Sequence, residues 1–138
     1  MTDVVSSPSS TNAANSRSIA EAAEATGLSI DTLRWYEREQ LFPPVPRDSA
    51  RRRRYSDQDI ERIELMLRLR RTGMPVRDIR RFVELLAGGC ETHTERLELL
   101  NAHRQRILAD MTQLDKDLAA VDHKIGHYTR LIGRESRA

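Results

Sequence analysis

An apolar stripe dominates the last third of the chain. Leu97, Leu100, Ile107, Met111, Leu114, Leu118, Val121, Ile125, Tyr128 and Ile132 recur at alternating steps of three and four residues, with Arg104 the one polar residue in the series. Strict three-four alternation over about five heptads is the coiled-coil pattern. So narrow a stripe needs a partner helix, and at ~1.5 Å per residue it is on the order of 50 Å long. No Gly or Pro interrupts it before Gly126, so the chain has no break at which to fold back on itself. The pattern predicts a dimerisation helix over 92–132, opened by a Thr92–Glu95 capping box, and a flexible tail over 133–138.

Upstream, shorter periods predict smaller helices. Ser18 and Glu21 form a capping box, Ile19, Ala20 and Ala23 make the inward stripe, and Gly27 ends the helix. Ser29 caps a second helix that runs to about Glu39. Pro43, Pro44 and Pro46 then forbid a helix, Asp48-Ser49 is turn-prone, and the stretch from Leu41 to Tyr55 reads as a short two-stranded wing. A third helix opens at Ser56 with Asp59 as its capping partner and turns Ile60, Ile63, Met66 and Leu67 inward until Gly73. Pro75 fits the first turn of a fourth helix, whose inner face is Val76, Ile79, Phe82, Val83 and Leu86. Gly88-Gly89 ends it and opens a junction loop over 88–94. Residues 1–16 are Ser, Thr, Asn, Ala and Pro with almost no apolar bulk, so a disordered tail is expected there.

The first two helices have the spacing of a helix-turn-helix. Ala23 is small enough for a helix crossing, Gly27 can take the positive φ of the turn, and Leu33 is the apolar anchor. Arg34, Trp35 and Tyr36 then sit on the second, recognition helix. Trp35 has two readings, core packing or stacking on a nucleic acid.

Charge sharpens this picture. The 138-residue chain has a formal net charge of only +2, yet Arg34, Arg38, Arg47 and Arg51 to Arg54 crowd one region against Glu37, Glu39 and Asp48. Arginine suits phosphate and guanine because its planar fork donates two parallel hydrogen bonds. Codon bias explains part of the arginine excess; it does not explain four in a row. The candidate DNA-binding set is therefore Ser29, Thr32, Arg34, Trp35, Tyr36, Arg47, Arg51, Arg52, Arg53, Arg54 and Tyr55, with Tyr55 equally able to be a core residue.

Other classes fall away. One cysteine, Cys90, excludes an intrachain disulfide framework and fits a reducing compartment. No apolar run is long enough to span a bilayer and no secretion signal opens the chain, so a cytoplasmic protein without membrane association is expected. No catalytic domain follows the DNA-binding head, and Ser6, Ser7, Ser9 and Ser10 lie in the tail without catalytic partners; no enzyme and no cofactor are expected.

The same residues carry a family resemblance. Ser18-Ile-Ala-Glu21, Thr32-Leu-Arg-Trp-Tyr-Glu37, Leu41-Phe-Pro-Pro44, Arg53-x-Tyr55 and Gly73-Met-Pro-Val-Arg-Asp-Ile79 resemble the MerR family of bacterial transcription regulators, in order and spacing, over residues 17–87. The resemblance implies a mainly α fold: a winged helix-turn-helix DNA-binding domain followed by a long helix that dimerises as an antiparallel coiled coil. It implies a homodimer on a pseudo-palindromic promoter with an overlong spacer, distorting that DNA so that RNA polymerase engages both promoter elements. Arg34 matches the recognition-helix arginine, Tyr36 an aromatic whose hydroxyl reaches a phosphate, Arg47 and Arg53 basic wing positions, and Tyr55 the aromatic closing the wing. Two positions depart from the pattern. Gln40 stands where relatives usually carry glycine, and Arg51-Arg52 replace a Gly-Tyr wing turn.

The signal is less legible. Metal sensors of the family carry cysteines flanking the dimer helix, whereas this chain has none after Cys90, so no metal site is expected despite His93, His103, His123 and His127. Cys90, beside flexible glycines and before a helix N-terminus, is the candidate sensor, with Glu91 opposing its thiolate; an unreactive cysteine, with a small molecule bound near 88–94 or no ligand at all, is the other reading. An architectural DNA-bending, excisionase-like protein is the alternative to a regulator.

Overall fold

The computed structural model describes residues 15–137, and the chain divides after Leu99 into two units. The tail expected over residues 1–16 lies outside the described residues up to residue 14, as does Ala138 at the other end.

Among the described residues, the first unit holds these helices in order: α1 (Ile19–Thr26), α2 (Ile30–Arg38), α3 (Asp57–Arg71) and α4 (Val76–Ala87). A 3-10 turn at Gly89–Thr92 leads into α5 (His93–Arg137), which continues through the second unit. Each start has a local cause. Ser18 and Glu21 cap α1 reciprocally, and Ser56 and Asp59 do the same for α3. The Ser29 side chain accepts the Thr32 amide at 3.0 Å to open α2. Pro75 sits one position earlier than expected, as the residue preceding α4, with φ −58° and ψ 145°.

Three helix ends share one geometry. At α1 the left-handed cap is Gly27, at α3 it is Gly73, and at α2 it is Gln40 with φ 61°. After α2, the Leu41 amide donates to the Tyr36 carbonyl and the Gln40 amide to the Glu37 carbonyl, the paired bonds of a Schellman motif. Leu41 is thereby folded back and buried beside Phe42.

The core joins these helices through Leu33, Leu41, Phe42, Tyr55, Ile63, Met66, Ile79 and Phe82, each at most 3% exposed. Several inward positions differ from the periodicity. Ala22, not Ala20 or Ala23, is the fully buried residue of α1; Leu69 and Leu85 are buried where Leu67 and Leu86 were expected and are only half-buried. On these helices apolar residues occur on more than one side, so the sequence alone does not single out the face that packs.

The wing is a hairpin rather than two strands. Arg47 and Arg53 form a single antiparallel bridge, and Arg17 bridges Tyr55 through amide–carbonyl bonds of 2.7 and 2.8 Å. The connecting turn is held by Asp48, whose carboxylate accepts the Ala50 and Arg52 amides at 2.9 Å each. Those amides, Arg52's foremost, keep the Asp48 carboxyl below its ordinary pKa. Arg51 occupies the turn with φ 66°.

α5 is a 45-residue helix without a break, and Gly126 lies inside it. It extends through Arg137, so residues 133–137, expected to be a loose tail, are helical. Thr92 does not cap it. The 3-10 turn passes straight into the helix, and the Thr92 hydroxyl donates instead to the carbonyls of Leu85 (2.6 Å) and Gly89 (2.8 Å). No helix among the described residues is long and apolar enough to cross a membrane.

Candidate nucleic-acid interface

The recognition helix α2 presents its polar side outward while Leu33 anchors it from below. Arg34 is half-exposed, with only a loose 3.9 Å approach to Asp31. Trp35 is 41% exposed, so the core-packing reading fails; its ring instead tilts against Tyr36 at 5.2 Å between centroids. Tyr36 in turn meets Phe42 edge-on at 5.2 Å, which ties its ring to the core and fixes where its hydroxyl emerges. Ser29 and Thr32 are bound to each other, hydroxyl to hydroxyl, at 2.8 Å.

The arginine run divides into two pairs. Arg53 donates to the Glu37 carboxylate in a mostly buried ion pair, 19% and 16% exposed respectively. The other Glu37 oxygen accepts the Val45 amide at 3.3 Å. Arg54 donates to the Ser16 hydroxyl at 3.0 Å and its carbonyl at 2.7 Å, so ordered contacts begin two residues before Ser18. Arg53 thus seats the wing on α2, and Arg54 ties it to the segment preceding α1. Arg51 and Arg52 project from the turn, Arg52 being 78% exposed and only loosely paired with Asp48 at 3.6 Å. Arg47 is exposed as well, donating to the Arg51 carbonyl at 3.1 Å. Arg34, Arg47, Arg51 and Arg52 are thus the outward cations of the expected set.

Tyr55 is 1% exposed and belongs to the core, which resolves its two readings. Burial, and after it the Glu37 carboxylate, raises its phenol above the ordinary pKa. Sequence reasoning missed Glu37, the hub joining helix to wing, and Arg80 of α4, which reaches Glu39 at the end of α2. Their partners lie 16 and 41 residues away, beyond any local motif.

Cys90 is exposed within the 3-10 turn. Among the described residues, no group of three or more His, Cys, Asp or Glu side chains is placed to hold a metal ion. On α5 the heptad residues Leu97, Met111, Leu114, Leu118, Val121, Ile125, Tyr128 and Ile132 are all more than half exposed, while Leu100 and Ile107 are half-buried. Arg104 is exposed, and the adjacent His103 is buried at 3%.

Comparison with known proteins agrees with this geometry. Residues 17–86 match the model of the MerR HTH family regulatory proteins. An HTH-type transcriptional regulator of Haemophilus influenzae is 36% identical over 111 residues, 80% of this chain and 82% of the relative. HiNmlR, a MerR family regulator lacking the sensor domain and solved bound to promoter DNA, superposes with a TM-score of 0.77 at 35% identity, over 83% of this chain and 91% of that one. A MerR family transcriptional regulator from Bacillus thuringiensis gives a TM-score of 0.74 at 27% identity, covering 80% and 97%. An exposed arginine-bearing recognition helix, a charged hairpin beside it and a long C-terminal helix coincide here with those matches: the chain belongs to the MerR family of helix-turn-helix transcription regulators.

Proposed function

We propose that the protein binds a pseudo-palindromic promoter as a homodimer and controls transcription by distorting the spacer DNA, with RNA polymerase as its partner there. The observation that carries this is the outward display of Arg34 on α2 and of Arg47, Arg51 and Arg52 on the adjoining hairpin. A helix in the major groove and a cationic hairpin on the flanking backbone fix register on the duplex before any base is read. The promoter DNA held by HiNmlR supports the same ligand class.

The homodimer rests on the exposed heptad seam of α5, for which a second copy is the matching surface. An antiparallel arrangement also suits the charges. It sets Glu91 and Glu98 near one end of the helix against Arg130, Arg134 and Arg137 at the other end of its partner.

A nuclease footprint on the DNA upstream of the protein's own gene tests the reading. One bounded site with two protected half-sites and a hypersensitive centre is expected. Scattered, cooperative coating would favour an architectural DNA-bending protein instead. Cys90 is the proposed sensor of a thiol-reactive signal. Run-off transcription with and without an aldehyde or oxidant should change for the wild type and stay constant for Cys90→Ser; equal behaviour of both removes the thiol from the signal path.

A further inference from the structure

The recognition helix ends on a strained residue, and a cation from another helix grips that end. Gln40 holds φ 61° where α3 uses Gly73 for the same Schellman geometry and α1 uses Gly27 for its own left-handed cap. The carbonyls of Tyr36 and Glu37 are taken by the Leu41 and Gln40 amides. Two residues beyond Glu37, the Glu39 carbonyl accepts Arg80 Nε at 2.9 Å, while Arg80 Nη2 donates to Glu39 Oε1 at 3.0 Å. One guanidinium therefore holds both the main chain and the side chain of the residue before the strained cap. A cation at a helix C-terminus also lies at the negative end of the helix dipole.

The neighbouring arginine reaches elsewhere. Arg81 donates to Glu84 of its own helix at 3.3 Å and to Glu95, in the first turn of α5, at 2.7 Å. Two consecutive residues of α4 thus hold the end of the recognition helix and the start of the long helix.

We infer that Arg80 is a positioning residue for DNA reading: by clamping Glu39 it fixes the pitch of α2, and with Arg81 it makes α4 the rigid link between the recognition helix and the first turn of α5. Arg80 acts through α2 and contributes no phosphate contact of its own. This rests on the DNA-binding reading above, and one arm of the test is independent of it.

That arm is amide hydrogen exchange on the full chain. Arg80→Leu should accelerate exchange at Gln40 and Leu41 while α1 amides keep their wild-type protection, and Arg80→Lys should restore part of the protection at α2. Uniform acceleration across all helices, or none at Gln40 and Leu41, overturns the clamp, and it does so whether or not the protein binds DNA. The second arm is binding to the DNA upstream of the protein's own gene. Specific affinity of Arg80→Leu should fall by about tenfold, as for loss of a hydrogen bond to a charged group, with the slope of log affinity against log salt unchanged. A slope reduced by about one would make Arg80 a phosphate ligand and reject the positioning role. Absence of specific binding by the wild type would count against the promoter-binding reading, with the clamp still decided by exchange. Glu39→Gln, which keeps the carbonyl and weakens the side-chain arm, should fall between wild type and Arg80→Leu in both arms; an effect as large as Arg80→Leu would place the clamp on the side chain alone.

Discussion

Gln40 and Arg51 stand where the backbone favours glycine, with φ 61° and 66°. A left-handed conformation costs an L-residue about 1–2 kcal/mol, and glycine escapes most of that. Gln40→Gly should raise the free energy of unfolding by about 1 kcal/mol in a urea titration; a midpoint at or below wild type would show that contacts around Gln40 already offset the strain. The two arginine pairs of the run should separate in a similarly direct way. Arg53→Ala strands the mostly buried Glu37 carboxylate, so it should cost about 1–3 kcal/mol of stability. Arg52→Ala should leave stability nearly unchanged and lower the salt slope of DNA binding by about one. Reversal of those two outcomes would return Arg53 to the phosphate-contacting set. Sequence alone could not make the distinction, because adjacent arginines are equivalent until the partner sixteen residues upstream is in place.

At the scale of elements, local chemistry was legible and long-range choice was not. The caps at Ser18, Ser29 and Ser56 depend on residues three positions away, and each forms as read. The Thr92–Glu95 box has the same spelling and does not form, because a 3-10 turn precedes it and removes the extended conformation that a cap requires. The wing's position was legible from its prolines and Asp48; its reduction to isolated bridges depends on backbone pairing that no side-chain pattern encodes. The burial of His103 on α5 left no mark in the sequence. Burial first, then the nearby Arg106, lowers its pKa, against a smaller opposing effect of Asp110. A depressed value means that the unfolded chain takes up the proton first as pH falls. The stabilising contribution is therefore full above the unfolded-state value of about 6.5 and is lost on acidification towards the folded-state value. Urea midpoints should drop between pH 7.5 and 5.5, and His103→Gln should flatten that part of the profile; an equally steep profile in the variant would place the titration elsewhere.

For the whole molecule, the proposed homodimer places its interface on the exposed heptad stripe of α5. Lys at both Leu114 and Leu118 sets charges into two central heptad positions that are 66% and 58% exposed in one copy. Sedimentation should then find monomers that keep the wild-type helical content of the first unit and lose the bounded footprint. A dimer that persists would move the interface off the heptad stripe. This periodicity was the most legible feature of the sequence because a coiled-coil seam uses the chain's own register; the orientation of two such helices leaves no comparable mark.

In the proposed homodimer, pairing and DNA reading are assigned to different residues, which makes subunits interchangeable. A copy with Arg34→Ala keeps its seam and should still pair with intact copies, giving mixed species with one working half-site. Above the dissociation constant of pairing nearly every subunit is paired, so the share of intact copies that sit in fully intact dimers falls as the crippled copy is added. Co-expression of the crippled copy should therefore silence the intact one in proportion to its excess, as a dominant-negative allele. The seam variant, unable to pair, should be recessive.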